Sequence, residues 1–359
     1  MKNTYVAIMA GGIGSRFWPK SRISNPKQFL DVLGTGQSLI QMTFERFRRF
    51  LPAEQILVVT NEMYTGACQE HLPEIPADNI LVEPLRRNTA PCVAYVAWKV
   101  AQKNPYANLI IAPSDHLILY PDKFIETLEK GLEFTAGADT LLTLGIRPTR
   151  PDTGYGYIQY HEEVIQEDIF RVKTFTEKPN KEIAEHFIKS GDYLWNAGVF
   201  LWNVQSVIKS FEQYSPEISS LFEQGKNVYN TPEEADFIED IYPQCPNVSI
   251  DVAIMEKAQN VYVLPSSFGW SDLGTWTSVW DKAEKDEHNN KVLGDDVMVF
   301  DSKNSLVIGE SGKLVIVQGM EDCCVVDTPD ALLVCKLHNE STLKKIHGDI
   351  KHLKGEQFL

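Results

Sequence analysis

Apolar residues along this chain follow two rhythms. Short apolar blocks at Tyr5–Ala10, Ile56–Thr60, Asn79–Glu83, Leu109–Ala112 and Thr140–Gly145 have the length and edges of buried strands. The stretches between them, Ser38–Leu51, Asn61–Leu72, Ala90–Lys103 and Asp122–Gly137, space their apolar residues as helices do. This alternation predicts an α/β fold, a mostly parallel sheet with helices on both faces. Ligands of such sheets bind at the carboxyl ends of the strands, so the polar residues after each strand are the ones to follow.

From about residue 152 to 288 the patterns mix. Ile158–Tyr160, Phe170–Glu177 and Val261–Leu264 read as strands. Lys181–Ser190, Val204–Tyr214 and Pro232–Ile241 read as helices, each with a turn residue near its start. After about residue 290 the chain becomes β-rich. Val292–Phe300, Ser305–Gly309, Lys313–Gln318, Cys323–Asp327 and Ala331–Lys336 are strand candidates separated by turn residues, and a polar helix follows at Glu340–Leu353. The expected organisation is a first domain over 1–288 and a small all-β unit with a terminal helix over 289–359. No long low-complexity linker separates them, so the two parts are expected to pack together.

A length of 359 residues agrees with two domains. The net charge of −15, from 34 basic and 49 acidic residues, argues against a nucleic-acid polymer as partner. It leaves a nucleotide open, because a few local Arg and Lys can hold a triphosphate in an acidic protein. No apolar run approaches the roughly 20 residues of a membrane span. No signal peptide is expected, because the first strand begins within a few residues. The six cysteines show no C-x-x-C spacing and read as reduced thiols in the cytoplasm. Cys323 and Cys324 are expected to face opposite sides of a strand.

The densest chemistry follows the first strand. Gly11-Gly12-Ile13-Gly14-Ser15-Arg16-Phe17-Trp18-Pro19-Lys20-Ser21-Arg22 leads to Pro26-Lys27-Gln28-Phe29-Leu30. Glycines let backbone N–H groups approach an anion closely, and Arg16 and Lys27 add positive charge beside them. The spacing is neither G-x-x-x-x-G-K-[ST] nor G-x-G-x-x-G, so the loop reads as a different kind of nucleotide-phosphate site. A tight strand-to-helix turn is the plainer alternative for the glycines alone.

Polar residues end other strands as well. Pro113-Ser114-Asp115-His116 follows Leu109–Ala112, and Asp272 lies in Gly269-Trp270-Ser271-Asp272-Leu273-Gly274. Two carboxylates from distant parts of the chain suit Mg²⁺, which takes few hard oxygen ligands beside substrate phosphates. Asp115 as a turn cap and Asp272 as a helix cap near Thr275 are the alternatives. Glu83-Pro84-Leu85-Arg86-Arg87-Asn88-Thr89-Ala90-Pro91 follows a third strand, with Asn88 or Thr89 placed to cap the next helix. Phe175-Thr176-Glu177-Lys178-Pro179 sets an acid beside a base. On a strand these point to opposite faces, so they are not expected to form a simple ion pair.

The glycine run resembles the signature of sugar-nucleotidyltransferases, G-G-x-G-x-R-x-x-P followed by P-K, and its details resemble mannose-1-phosphate guanylyltransferases in particular. The resemblance covers the chain from residue 5 into the β unit. It implies a Rossmann-like nucleotidyltransferase domain with a small, left-handed β-helix-like C-terminal unit. Its P-S-D-H and W-x-D-x-G positions imply metal ligands at Asp115 and Asp272. Its F-x-E-K-P implies that Glu177 accepts from sugar hydroxyls and Lys178 neutralises the sugar phosphate. Asn196 and Gly198 in Trp195-Asn196-Ala197-Gly198 match a sugar-binding W-N-[AS]-G, where Asn196 can donate and accept. Gly154, Tyr155 and Gly156 match a T-G-Y-G-Y-I turn that walls the sugar. Thr176 departs from the apolar β-branched residue often found there, but both fit a strand. Longer members carry an appended cupin-like isomerase domain, and none is expected before Leu359.

What the resemblance implies is transfer of GMP from GTP to mannose 1-phosphate, giving GDP-mannose and pyrophosphate. Nucleotide binding falls on Gly11, Gly12, Gly14, Ser15, Glu83, Asn88, Thr89, Ser114 and Asp115. Guanine presents N1–H and N2–H₂ donors, so its reader is Glu83 or backbone carbonyls near Asn88. Catalytic roles fall on Arg16, Lys27 and Lys178, with Mg²⁺ on Asp115 and Asp272. His116 is a positioning or structural residue, since a phosphate dianion needs no general base. Another sugar 1-phosphate, heptose or fucose, and a non-catalytic regulator are the alternatives, and a homodimer is expected.

Overall fold

The computed structural model describes residues 3–359. β1 (Thr4–Met9), β2 (Ile56–Asn61), β3 (Ile80–Glu83) and β4 (Asn108–Pro113) lie where the apolar blocks predict them. β5 (Leu117–Ile118) is two residues long. Next come β6 (Leu141–Ile146), β7 (Tyr157–Gln166), β8 (Ile169–Thr176), β9 (Tyr193–Asn203), β10 (Val261–Ser266) and the short β11 (Trp270–Ser271). The chain divides into two compact units. The first takes residues up to Gly11, Phe44–Ser114 and Ile118–Trp270, and the second takes Gly12–Thr43, Asp115–Leu117 and Ser271–Leu359.

The first unit is built on a nine-stranded sheet in the order β3-β2-β1-β4-β9-β6-β10-β8-β7. β1 to β4 pair in parallel, as do β6 and β10. β9 runs antiparallel to both β4 and β6, and β8 runs antiparallel to β10 and β7. Parallel strands need crossovers, and the helices Thr89–Lys103 and Pro121–Thr135 supply them. Helices Thr89–Lys103, Val204–Tyr214 and Pro216–Glu223 bury Trp98, Phe211 and Phe222 in one cluster, with Trp98 5.9 Å from Phe211 and 6.1 Å from Phe222. Among the described residues no helix is long and apolar enough to cross a membrane.

Besides the short β5 and β11 and a longer β7, three elements differ from the pattern reading in an instructive way. β9 is a central strand that the sequence disguises. Asn196 and Gly198 interrupt its apolar run, Gly198 has φ 67°, and the register against β6 shifts between Thr143 and Gly145. That is a bulge, which re-aims side chains and hides a strand from a period-two reading. Helix Pro216–Glu223 follows Val204–Tyr214 after the single residue Ser215, and the pattern reading passes over it although Pro216 stands at its first turn. The expected strand Val292–Phe300 is two strands, broken at Gly294 with φ 120°.

The second unit stacks its strands in coils. β12 (Lys291–Leu293), β14 (Leu306–Ile308) and β16 (Cys323–Asp327) pair in parallel on one face, and β13 (Val297–Phe300) and β15 (Val315–Gln318) on another. β17 (Leu332–Lys336) closes against β16 in antiparallel fashion. Val307, Val317 and Val325 fill the interior of the coils. On the other side Leu306, Ile308, Cys324, Val326 and Leu333 share one core with Trp276 and with Phe17, Val32 and Leu39 of the glycine-loop segment. Trp18 Nε1 donates to the Phe358 carbonyl at 2.7 Å, and Arg22 pairs with Asp330 at 2.7 Å. The coils therefore pack on the segment that carries the glycine loop. Cys324 joins this core and its neighbour Cys323 does not, as alternation on a strand requires. All six cysteines are free thiols.

One buried charge cluster organises the first unit. Lys99 and Glu234 are 9% and 6% exposed, and Lys99 Nζ lies 2.7 and 2.6 Å from the two Glu234 oxygens. Tyr95 donates to the same carboxylate at 2.6 Å and the Asn230 N–H at 2.5 Å. Removing one partner of such a pair strands the other charge. Lys99→Ala and Glu234→Gln should each lower unfolding free energy by about 3–5 kcal/mol. The double variant Lys99→Met/Glu234→Leu should recover most of that loss. Urea denaturation of the three proteins checks it, and single variants within about 1 kcal/mol of wild type would show the pair to be solvated.

Candidate active site

Of the residues expected to meet phosphate or metal, Gly12, Gly14, Ser15, Arg16, Lys27, Asp115 and Asp272 lie in the second unit. Gly14 has φ 68°, and a Cβ there would meet Lys27 Cβ at 2.3 Å, so only glycine fits. It precedes the 3₁₀ turn Ser15–Phe17, in which Phe17 is buried and Arg16 is exposed. The loop is pinned by Ser21 Oγ donating to the Gly14 carbonyl at 2.8 Å and Gln28 Nε2 donating to the Gly12 carbonyl at 3.0 Å. Lys27 is 4% exposed. Its ammonium donates to Asp115 Oδ2 at 2.8 Å and to the Asp272 backbone carbonyl at 2.6 Å. Three distant motifs of the sequence thus meet on one ammonium.

Burial pushes the Asp115 carboxyl up, but the Lys27 ammonium, His116 and the Lys27 hydrogen bond outweigh it and leave it below its ordinary value. Asp115 is therefore an anion at neutral pH. Asp272 does not cap the following helix. Thr275 does, in a capping box with Ser278, while Asp272 Oδ1 accepts from the Gly274 N–H at 3.0 Å. A Cβ on Gly274 would lie 2.6 Å from Asp272 Oδ2 and 3.3 Å from an Arg16 guanidinium nitrogen, which puts Arg16 on the same side of the loop.

The residues expected to hold the sugar lie in the first unit. A Cβ on Gly156 would lie 2.7 Å from Glu177 Oε2 and 3.4 Å from Asn196 Cβ, so the three adjoin. The Tyr155 ring packs edge-on to Trp195 at 4.9 Å and Trp270 at 5.2 Å. Arg150 lies over the Tyr155 and Trp195 rings at 5.8 and 5.4 Å and pairs with Asp152 at 2.8 Å. Asp152 Oδ1 also accepts from the Gly154 N–H at 2.8 Å, which shapes the turn. Gly198 donates its N–H to Asn196 Oδ1 at 3.1 Å.

Glu177 and Lys178 correct an expectation. They form an ion pair, Lys178 Nζ to Glu177 Oε1. β8 ends at Thr176 and Lys178 takes φ 47°, so strand alternation no longer separates them.

On the base side, also in the first unit, Asn88 has φ 65° and caps helix Thr89–Lys103, its Oδ1 accepting from the Thr89 N–H at 2.9 Å. Thr89 Oγ1 accepts from the Ile250 N–H at 2.9 Å. Ser114 is buried, and its N–H donates to the Met9 carbonyl at 3.1 Å. Glu83 is 8% exposed and its Oε1 accepts from the buried Tyr242 hydroxyl. A Cβ on Gly11 would lie 3.2 Å from Glu83 Oε2. Burial pushes the Glu83 carboxyl up to about 7, against the lowering effects of Tyr242 and Arg86. Tyr242, Arg150 and Asp251 are the neighbours that sequence reasoning missed. Arg150 stands two residues before Asp152 and the glycine turn and could have been read from that position, whereas only the fold brings in Tyr242 and Asp251.

Residues 5–289 match the nucleotidyl transferase family and residues 295–348 match the mannose-phosphate isomerase/GMP-like β-helix domain. A mannose-1-phosphate guanylyltransferase of Salmonella montevideo is 39% identical over 354 residues, covering 96% of this chain and 73% of that one. One of Escherichia coli is 36% identical over 356 residues, covering 96% and 75%. The crystal structure described as mannose-1-phosphate geranyltransferase from Thermus thermophilus has a TM-score of 0.87 at 30% identity, covering 98% of this chain and 99% of that one. That match includes the coiled C-terminal strands.

The Glu83 shift gives stability a pH dependence. A carboxyl whose folded value lies above its ordinary value holds a proton in the folded state that the unfolded chain has released. Its contribution is full below about 4.5 and is lost as pH rises through about 7. Wild type should therefore lose stability between about pH 5 and 7.5, with a slope approaching about 1.4 kcal/mol per pH unit from this group. Glu83→Gln should show a visibly flatter fall. Burial also pushes Asp251 up, to about 6, and that part of the slope should remain in both proteins. Parallel slopes in thermal melts across this range would show that Glu83 titrates normally.

Proposed function

Since this chain belongs to the nucleotidyl transferase family, and within it to the mannose-1-phosphate guanylyltransferases, we propose that it transfers GMP from GTP to α-D-mannose 1-phosphate. An oxygen of the sugar phosphate attacks the GTP α-phosphorus in line and pyrophosphate leaves. The observation that carries the reading is the Lys27 ammonium joining the Asp115 and Asp272 segments beside Gly14.

Backbone N–H groups of Gly11, Gly12, Gly14 and Ser15 would hold the triphosphate. Arg16, exposed on its turn, would steady the β,γ-phosphates. Lys27 would face charge developing on the leaving pyrophosphate, which needs positioning and neutralisation more than acid–base work. Lys178, exposed and paired with Glu177, would exchange that partner for the sugar phosphate. Asn196, Gly198, Gly154, Tyr155, Gly156 and Glu177 would hold the sugar.

Asp115 and Asp272 fit a divalent cation. They are two carboxylates beside the phosphate loop, and Mg²⁺ needs only one or two when substrate phosphates complete its shell. A bound Mg²⁺ supplies Lewis-acid stabilisation of charge on the phosphoryl oxygens. Ser114 would place the backbone before Asp115. Glu83 is committed to Tyr242, which favours backbone carbonyls around Asn88 as the guanine reader, with Thr89 anchoring that turn. Six free thiols accord with a cytoplasmic setting.

Pyrophosphate release measured across four nucleoside triphosphates and mannose, heptose and fucose 1-phosphates should single out GTP with mannose 1-phosphate. Asp272→Asn should cost about 10²-fold or more in turnover with little loss of stability, because Lys27 bonds the backbone there. Asp115→Asn should cost as much turnover and stability besides, since it unpairs a buried ammonium. Glu83→Gln should leave the GTP-to-ATP preference intact. Near-normal turnover in both aspartate variants sinks the metal assignment, and an eroded base preference returns base reading to Glu83.

A homodimer is the second expectation. Met298, Phe300 and Ile316 on β13 and β15 are 47%, 45% and 58% exposed, and Leu332 and Val334 on β17 are 59% and 53% exposed. Contiguous apolar faces of this kind mark association surfaces. Phe300→Glu/Ile316→Glu should convert a dimer to a folded monomer in sedimentation velocity. A wild type that sediments as a monomer at micromolar concentration rules this out.

A further inference from the structure

The sugar-side cluster holds an acid that the motifs did not assign. Asp251 opens a π-helical turn, Asp251–Met255, in which the Glu256 N–H donates to the Asp251 carbonyl at 2.9 Å. Such turns are rare and recur at functional sites. Asp251 is only partly exposed, and its Oδ1 accepts from Asn196 Nδ2 at 3.0 Å.

That contact decides what Asn196 can offer. The Gly198 N–H, a donor that cannot be reversed, points at Asn196 Oδ1 at 3.1 Å. Thr143 Oγ1 lies 3.1 Å from the same oxygen and 3.2 Å from the Val199 carbonyl. The carbonyl oxygen of Asn196 thus already has two neighbours, and one amide hydrogen is spent on Asp251. A single N–H remains for a ligand. An amide has two acceptor sites and two donors, and with Oδ1 bonded by the Gly198 N–H and crowded by the Thr143 hydroxyl, Asn196 meets a ligand chiefly as a donor. Hydroxyl hydrogens of a sugar then need other acceptors. Glu177, against Gly156 and Asn196, is one. Asp251 is the other acid within electrostatic reach.

We propose that Asp251 is a specificity-determining residue for the sugar: it locks Asn196 as a donor and, with Glu177, presents two carboxylates to neighbouring hydroxyls of the pyranose. Burial and the Glu177 charge push Asp251 up to about 6, against the lowering effects of a backbone hydrogen bond, Lys178 and a Ser249 hydrogen bond, so the two acids repel one another. Hydroxyl donors placed between them relieve that repulsion. The arrangement selects a sugar with two adjacent hydroxyls correctly oriented and penalises one that lacks either, because a carboxylate oxygen shielded from solvent then loses a donor.

The inference rests on the reading that a sugar 1-phosphate is the acceptor. Wild-type turnover of mannose 1-phosphate tests that reading first and does not involve Asp251. The inference itself is tested with Asp251→Asn, which keeps the volume and the contact to Asn196 but removes the charge. The Michaelis constant for the sugar 1-phosphate should rise about 10-fold or more, while that for GTP stays within about two-fold. Singly deoxygenated analogues of whichever sugar 1-phosphate wild type accepts then complete a cycle of protein against substrate. Loss of the hydroxyl that Asp251 reads should cost wild type about 10-fold and the variant almost nothing, with other positions costing both equally. An Asp251→Asn protein with a wild-type constant for the sugar overturns the inference. So does a cycle in which every deoxygenation costs both proteins the same, because Asp251 would then only brace the fold. A folded wild type that accepts no sugar 1-phosphate overturns the inference and the reading beneath it together.

Discussion

The second unit depends on one buried ammonium. Lys27 sits 4% exposed between the Asp115 carboxylate and the Asp272 carbonyl, with its charge 5.3 Å from the Phe17 ring. A lysine removed from water must be paired, and here its partners come from segments that the chain keeps far apart. The bond fixes where the loop after Gly14 ends, where the turn after β4 goes, and where the chain resumes after β11. The ligands of any cation at Asp115 and Asp272 follow from it. So does the absolute need for glycine at position 14, which lies under the Lys27 side chain.

The coiled strands act on that constraint through packing. Leu306, Ile308, Cys324, Val326 and Leu333 share a core with Phe17, Val32 and Trp276. Phe17 is the residue next to Arg16, so the exposed guanidinium projects from an anchored position and loses less entropy on binding. The all-β tail is thus part of the framework of the phosphate loop. Burial of several large apolar side chains, each worth about 1.5–3 kcal/mol, is ample to hold a short loop in one conformation.

In the first unit, buried acids serve two ends. Glu234 is fully met by Lys99, Tyr95 and Asn230 and organises the helices around Trp98. Glu177 pairs with the exposed Lys178, and Asp251 accepts from Asn196 while the Glu177 charge works against it. Satisfied charges make structure, and under-satisfied ones make a place for a ligand with donors. The bulge at Gly198 in β9 is what turns Asn196 towards that place.

The sequence by itself determined the parallel half of the sheet, most of the helices and the β-rich character of the tail, because each rests on local periodicity and turn chemistry; the coil of the tail came from the family resemblance. The motifs at Gly14, Asp115, Glu177 and Asp272 were legible because each sits near a strand end or a glycine turn, whereas Asn196, inside β9, was reached only through the family resemblance. Tertiary structure decided the rest. β9 was hidden by its own bulge, and its central place between β4 and β6 is a matter of long-range pairing. That Lys27 bonds Asp115, that Tyr242 holds Glu83, and that Asp251 reaches Asn196 depends on side chains separated by 88, 159 and 55 positions. No local pattern encodes a partner at that distance. Whether an acid is a free acceptor, a paired anion or a half-protonated group is set by burial and neighbours, and these exist only once the chain has folded.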